Sequence, residues 1–149
     1  HRRGLVAESM VRFEFCCCTG LRFGDSLRLR PDLLQGDRLV MQMEKTGRTI
    51  NLPLGKLFGG RPLAMWEDVA RLHPINICTY NIHLDQFGKA AGLTFKLSSH
   101  HARDTFAMSL LNEYRVPIHV VSKLLGHASV VTTERHYAHL LDSSVEDYL

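Results

Sequence analysis

Between Leu5 and Cys18 apolar residues dominate and neither glycine nor proline interrupts them, so the stretch reads as a helix that Thr19 and Gly20 bring to an end. A short helix over about 23–29 follows, and Pro31 closes it. The period then changes. "LVMQMEKTGRTINLPL" sets two β-type runs on either side of Lys45, Thr46 and Gly47, the mark of a hairpin, and "DLL" at Asp32 to Leu34, before the "QGD" turn, supplies a third strand. From Pro62 onward helical spacing returns, over about 62–72, 79–91, 98–114, 117–125 and 129–140. The punctuation agrees: Ser98 or Ser99 can cap the third of these helices, Pro117 suits a first turn, and Gly126 suits the position after a helix end. No internal repeat, low-complexity tract or linker divides the chain. The pattern predicts a single α+β domain over residues 1–149, mostly helical, with a small three-stranded antiparallel sheet near the N-terminal third.

Composition narrows this picture only modestly. With 149 residues and 45% hydrophobic content the chain can bury a real core. Eighteen Lys and Arg against 15 Asp and Glu leave a net charge of +3, which admits nucleic acid without requiring it. Cys16, Cys17, Cys18 and Cys78 offer no C-x-x-C spacing and read as small apolar residues of a reduced, intracellular protein. No apolar run approaches the ~18 residues of a membrane span and no charged-then-apolar leader opens the chain, so the expected location is cytoplasmic. The start "HRRGLVAESMVRF" enters a helix directly, as a fragment of a longer polypeptide would.

The candidate chemistry changes the picture more. "SSHHARDTFAMSLL" sets His100 and Arg103 three residues apart at the beginning of a helix, on one face near its positive end, a natural anion site. Arg22 in "TGLRFGD" lies at another helix start, with Asp25 one turn on to hold its guanidinium. Lys45 belongs to the hairpin tip, His127 follows Gly126, and Tyr137 stands in "TTERHYAHLL" beside His136 and His139. Taken singly, these are a pair of surface arginines, a solvated lysine, a helix-capping histidine and a packed tyrosine. His136 and His139 have H-x-x-H spacing, but no third ligand joins them, so no metal site is expected. Neither a P-loop, nor a G-x-S-x-G elbow, nor the acid set of a two-metal nuclease occurs.

What remains is two arginines, a lysine, two histidines and a tyrosine. A phenol with a pKa near ~10 is a poor nucleophile unless a base takes its proton or cations stabilise the phenolate. Guanidinium forks match the oxygens of a phosphodiester, an ammonium can protonate a departing sugar oxygen, and imidazoles can accept a proton or hydrogen-bond the phosphate. The set fits transesterification of a nucleic-acid backbone with neither metal nor cofactor.

Four separated motifs give this a family. "TGLRFGD" with Arg22, "EKTGRTINLPL" with Lys45, "HHARDTFA" with His100 and Arg103, and "LLGHASVVTTERHYAHL" with His127 and Tyr137 extend over residues 19–140. In content and order they resemble the catalytic domain of the tyrosine recombinases, the phage-integrase-like site-specific recombinases. The resemblance implies that Arg22 and Arg103 clamp the scissile phosphate and that Lys45 acts as general acid for the leaving 5′ oxygen. It further implies that His100 assists proton transfer, His127 hydrogen-bonds the phosphate, and Tyr137 forms a 3′-phosphotyrosine link. Of the four tyrosines, only Tyr137 follows "LLGH" at the family distance. The implied partner is double-stranded DNA, with Arg28, Arg30, Lys96 and Lys123 as expected backbone contacts. The implied assembly is a homotetramer on DNA and a monomer when free, with "LLDSSVEDYL" either exchanged between neighbours or folded back on its own domain.

The chain departs from the family pattern in three ways. Asp104 stands where the family often has histidine, and is expected to lie behind the catalytic groups. "HH" doubles the first histidine, the spacing selecting His100 over His101. Nothing corresponds to the family's separate N-terminal core-binding domain. Two other readings share part of the signal: a type IB topoisomerase, distinguished by the absence of strand exchange, and a DNA-binding relic without turnover, which the presence of all six residues opposes.

Overall fold

Ser9, Arg12, Phe15, Cys16 and Thr19 are buried at helical spacing along one stripe, which makes the first helix the spine of the fold. A computed structural model describes the backbone of residues 2–145 and the side chains of residues 4–138. Its helices are α1 (Arg2–Thr19), α2 (Phe23–Ser26), α3 (Arg61–Val69), α4 (Ile77–Ala90), α5 (His100–Met108), α6 (Ile118–Leu125) and α7 (Val130–Val145). Between α2 and α3 lie β1 (Leu34–Gln35), β2 (Arg38–Gln42) and β3 (Thr49–Pro53). The α+β expectation holds, with α1 packed on α3, α4 and α5, and α6 on β3 and α7.

The sheet is antiparallel in the order β1-β2-β3. Leu39 pairs with Leu52 and Met41 with Ile50, so the buried residues of both long strands share one face. That face joins Phe15, Trp66, Phe106 and Leu125 in the main core. At the hairpin tip the Met43 amide donates to the Arg48 carbonyl and the Gly47 amide to the Met43 carbonyl, both at 2.8 Å. Lys45 stands exposed on this turn.

Local details correct the sequence reading. The "DLL" strand begins later: Pro31–Leu33 form a 3-10 turn, because proline fixes φ and supplies no ladder donor, and only Leu34–Gln35 pair. α2 stops at Ser26 rather than near residue 29. Neither serine caps α5 by its side chain; Ser99 is itself helical at φ −54°, and the Ser98 carbonyl accepts the His101 amide at 3.1 Å. After Met108 the helix widens into a π turn over Ser109–Glu113. Asn76, by contrast, caps α4, its Oδ1 accepting the Thr79 amide at 2.8 Å.

Arg12 is 2% exposed and ties three segments together: its Nη1 donates to the Ser26 carbonyl at 2.9 Å and its Nη2 to the His73 carbonyl at 3.0 Å. A second core patch, Tyr80, Leu84 and Leu97, lies beside it, with Phe23 stacked on Tyr80 at 4.7 Å. The cysteines are free, and burial pushes the thiols of Cys16 and Cys17 up to about 12. Among the described residues no helix is long and apolar enough to cross a membrane.

Candidate active site

Two glycines bring three motifs into contact. Gly20 and Gly126 adopt φ +73° and +76°, where a side chain is strained. A Cβ at Gly20 would come within 2.5 Å of the Phe106 ring, and one at Gly126 would overlap the Met43 sulfur. The end of α1 and the end of α6 thus close against the core with their carbonyls free. Arg103 on α5 takes both: its Nη1 donates to the Gly20 carbonyl at 2.7 Å and its Nη2 to the Leu125 carbonyl at 2.9 Å. Burial, and then the neighbouring Arg22, lower its pKa to about 10, which leaves it charged at neutral pH.

His127 completes this support. Its Nε2 lies 3.3 Å from Arg103 Nη2 and its Nδ1 2.6 Å from Thr133 Oγ1. A guanidinium only donates, so Nε2 accepts and the ring proton sits on Nδ1, donating to Thr133. Burial first, then Arg103, Arg22 and His136, lower the His127 pKa to about 4, so the ring is neutral. The folded pKa lies below the 6.5 of the ordinary group. Acidification therefore protonates the unfolded chain first, and stability present above pH ~6.5 is lost as pH falls towards ~4. Discounted for partial exposure, this imidazole accounts for about 1–2 kcal/mol of that loss. Urea unfolding at both ends of the window should show a smaller pH dependence for His127→Asn than for the parent. Equal dependence would contradict the assigned neutral state.

Arg22 precedes α2 with extended backbone at ψ 153°, and its buried Nη1 has no hydrogen-bond partner. Contrary to the expectation from sequence, Asp25 does not hold it. That carboxylate, 2% exposed, accepts from Arg28 Nη2 at 2.5 Å and from the Glu44 amide at 2.9 Å. It therefore fixes the hairpin that carries Lys45. An unsatisfied buried guanidinium donor costs about 1–3 kcal/mol, a cost that an entering anion would relieve.

A cavity of about 740 Å³ gathers these groups. Arg22, Lys45, His100, Arg103, His127 and Tyr137, all six residues singled out in the sequence, line it. His100 is exposed, its ring stacked on His101 at 4.4 Å, and Ser98 Oγ lies within 3.2 Å of Nδ1 of both. Tyr137 is 2% exposed, and its hydroxyl donates to Asp104 Oδ1 at 3.2 Å. Burial and the adjacent carboxylate raise its pKa, with Arg103 opposing them.

Sequence reasoning missed five contributors, Asp104, Thr132, Thr133, Arg135 and His136. Asp104, expected behind the catalytic groups, touches the tyrosine hydroxyl and also His136 Nε2 at 3.1 Å. Thr133 orients His127, while Thr132 and Arg135 join the cavity wall. The available signal was helical spacing: 132, 135 and 136 share one face of α7, and 133 and 137 another. Of the expected DNA contacts, Arg28 is engaged by Asp25 and the Gln42 carbonyl, and Arg30 pairs with Asp32 at 3.1 Å. Lys96 and Lys123 are exposed. No cluster of metal-ligating side chains occurs among the described residues, and the His139 side chain, Tyr148 and the side chains of "LLDSSVEDYL" lie outside them.

The model of the phage integrase family matches residues 4–144. Tyrosine recombinase XerD of Mycobacterium leprae is 30% identical over 156 residues, covering 87% of this chain and 48% of that protein. The chain thus spans about half the length of this relative. Two solved structures share the fold. One, a lambda integrase dimer bound to a COC′ core site, gives a TM-score of 0.69 at 21% identity over 87% of this chain and 51% of that one. The other, a lambda integrase tetramer bound to a Holliday junction, gives 0.65 at 22% identity over 82% and 40%.

Proposed function

This chain belongs to the phage integrase family, and from that premise we propose that it is the catalytic domain of a site-specific DNA recombinase that works through a 3′-phosphotyrosine intermediate at Tyr137. The observation that carries the reading is the convergence of all six residues, from four separated motifs, on one cavity beside an unpartnered arginine donor.

The chemistry follows from the donors. Three of the five N–H groups of Arg103 are engaged by Gly20, Leu125 and His127, which leaves two for a ligand. Those two and Arg22 receive the nonbridging oxygens of a phosphodiester and stabilise the charge that grows on them during attack. The Tyr137 oxygen bonds to phosphorus as the bond to the 5′ oxygen breaks. Lys45, reaching in from the hairpin, protonates the leaving oxygen, and His100 assists proton transfer at the cavity edge. His127 fixes Arg103 from behind while Nε2 accepts; its own bond to the phosphate forms by a tautomer shift that carries the ring proton from Nδ1 to Nε2, after which Thr133 donates to Nδ1 and the freed Arg103 N–H turns to the anion. Attack on the phosphotyrosine by the 5′ hydroxyl of another strand restores Tyr137 and exchanges the strands.

We assign the whole reaction to a longer polypeptide in which a second domain closes on DNA from the opposite side. The halved coverage of XerD supports this. The working unit is a homotetramer on two duplexes, and the free chain a monomer. A topoisomerase of type IB would relax DNA without exchanging strands, and a relic would not keep the six groups around one cavity.

The test uses the polypeptide carrying this chain and a pool of nicked duplexes with randomised flanks, in the presence of a chelator. Cleavage near the nick releases a short 5′-hydroxyl strand and leaves a covalent protein–DNA adduct. We expect the adduct to survive chelation, since no divalent ion takes part. An adduct that forms only on adding magnesium contradicts the proposal.

DNA affinity itself should be weak for this chain alone and fall with salt, as phosphate contacts release counterions. Lys123→Ala should lower the slope of log affinity against log salt by about one, whereas Arg28→Ala should cost stability and leave the slope nearly unchanged. Titration at rising salt reads both. Tight, salt-insensitive binding contradicts the interface.

A further inference from the structure

Asp104 is the direct acceptor of the Tyr137 hydroxyl, at 3.2 Å, in a cavity whose other ionisable groups are mostly cationic or imidazole. A carboxylate facing an anion site is unfavourable unless it has work there. Its other partner is His136, which contacts the same Oδ1 at 3.1 Å and meets the Tyr137 ring edge-on at 4.7 Å. Asp104 and Arg103 are adjacent on α5, and His136 and Tyr137 on α7, so the pairs face one another across a single helix contact. The remaining candidate bases are placed elsewhere: His127 is bonded to Thr133 and Arg103, and His100 is stacked on His101.

We propose that Asp104 is the general base that takes the proton of Tyr137 during strand cleavage, with His136 holding its carboxylate in place. The inference rests on the phosphotyrosine reading. The Tyr137 oxygen–phosphorus bond forms while its proton passes to Asp104 Oδ1; the phosphorus–5′ oxygen bond breaks, and Lys45 supplies a proton to that oxygen. In rejoining, the 5′ hydroxyl gives a proton back to Lys45, and Asp104 returns its proton to Tyr137, so nothing is consumed. Charge also moves favourably: Asp104 becomes neutral as negative charge accumulates on the phosphoryl oxygens beside it. Burial and the carboxylate oppose a free phenolate, so proton removal is coupled to attack.

The groups facing Tyr137 are Asp104 and Arg103 from α5 and His136 from α7, with Arg22, Lys45, His100, His127 and Arg135 around the same cavity. Comparing the parent with Asp104→Asn under identical conditions changes Asp104 and leaves every other one of these residues in place. The substrate is a nicked duplex recovered from trapping by the parent protein, and the readouts are the rate of adduct formation, DNA binding and thermal unfolding.

Asp104→Asn keeps an acceptor for the hydroxyl and removes the base. It should slow adduct formation by about 10²–10³-fold with binding and unfolding near parental values, and its rate should climb about tenfold per pH unit from pH 7 to 9 while the parent's does not. Asp104→Glu should regain most of the rate. An Asn variant within about threefold of the parent at every pH overturns the role of Asp104 alone, and one faster than the parent overturns it in favour of a resting latch on Tyr137. No adduct from the parent protein overturns the phosphotyrosine reading and this inference together.

Discussion

Tyr137→Phe will bind DNA as the parent does and form no covalent link to it. The change removes one hydroxyl from a ring that is otherwise packed, 2% exposed in the main core, so the cavity keeps its shape. Asp104 loses one donor and retains His136, and the stability change stays within about 1 kcal/mol. Neither other described tyrosine can take over. Tyr80 is buried in the second core patch, stacked on Phe23, and its ionisation is opposed by burial. Tyr114 is 54% exposed, edge-on to Phe58 at 5.3 Å, and does not line the cavity. Denaturing gels after incubation with the nicked pool check this. Residual adduct in Tyr137→Phe, or adduct that vanishes only in Tyr114→Phe, contradicts the assignment.

Arg103→Ala carries the next largest effect, and it has two parts. Loss of a transition-state donor of this kind costs about 3–4 kcal/mol of barrier, or roughly 10²–10³ in rate. The carbonyls of Gly20 and Leu125 also lose their partner, which costs stability on the order of 1–3 kcal/mol and loosens the contact among α1, α5 and α6. Arg103→Lys separates the two: it keeps a charge and one carbonyl bond but not the fork, so it should regain stability more than rate. Single-turnover cleavage together with urea unfolding measures both. A Lys variant that restores rate fully while remaining unstable would place the role of Arg103 in charge alone.

The sequence made the spine, the hairpin and the helical remainder legible because each rests on local signals: apolar periodicity, the turn residues at Thr46 and Gly47, and the punctuation at Pro117 and Gly126. The six candidate residues were legible because their motifs resemble those of a family, and the cavity brings them together. What escaped was pairing between segments distant in sequence. Asp25 reads locally as the partner of Arg22, three residues before it, yet it bonds Arg28, three residues after it, and the distant Glu44 amide that the hairpin brings back to it. Nothing in the neighbourhood of Arg12 announces the Ser26 and His73 carbonyls that accept from its Nη1 and Nη2 in the core. Asp104 reads as a residue behind the catalytic groups because its contact with Tyr137 joins two helices across 33 residues of sequence. The capping serines failed for a local reason: the Ser98 hydroxyl lies against the rings of His100 and His101, and Ser99 is itself helical.

The central claim is a covalent bond between Tyr137 and a 3′ phosphate, and mass spectrometry of the trapped adduct tests it most directly. The protein is incubated with the nicked pool under chelation, the adduct is digested with nuclease and trypsin, and the modified peptide is sequenced. The account predicts a nucleotide attached through its 3′ phosphate to the peptide containing Tyr137. A nucleotide on any other residue, or one linked through a 5′ phosphate, would contradict it.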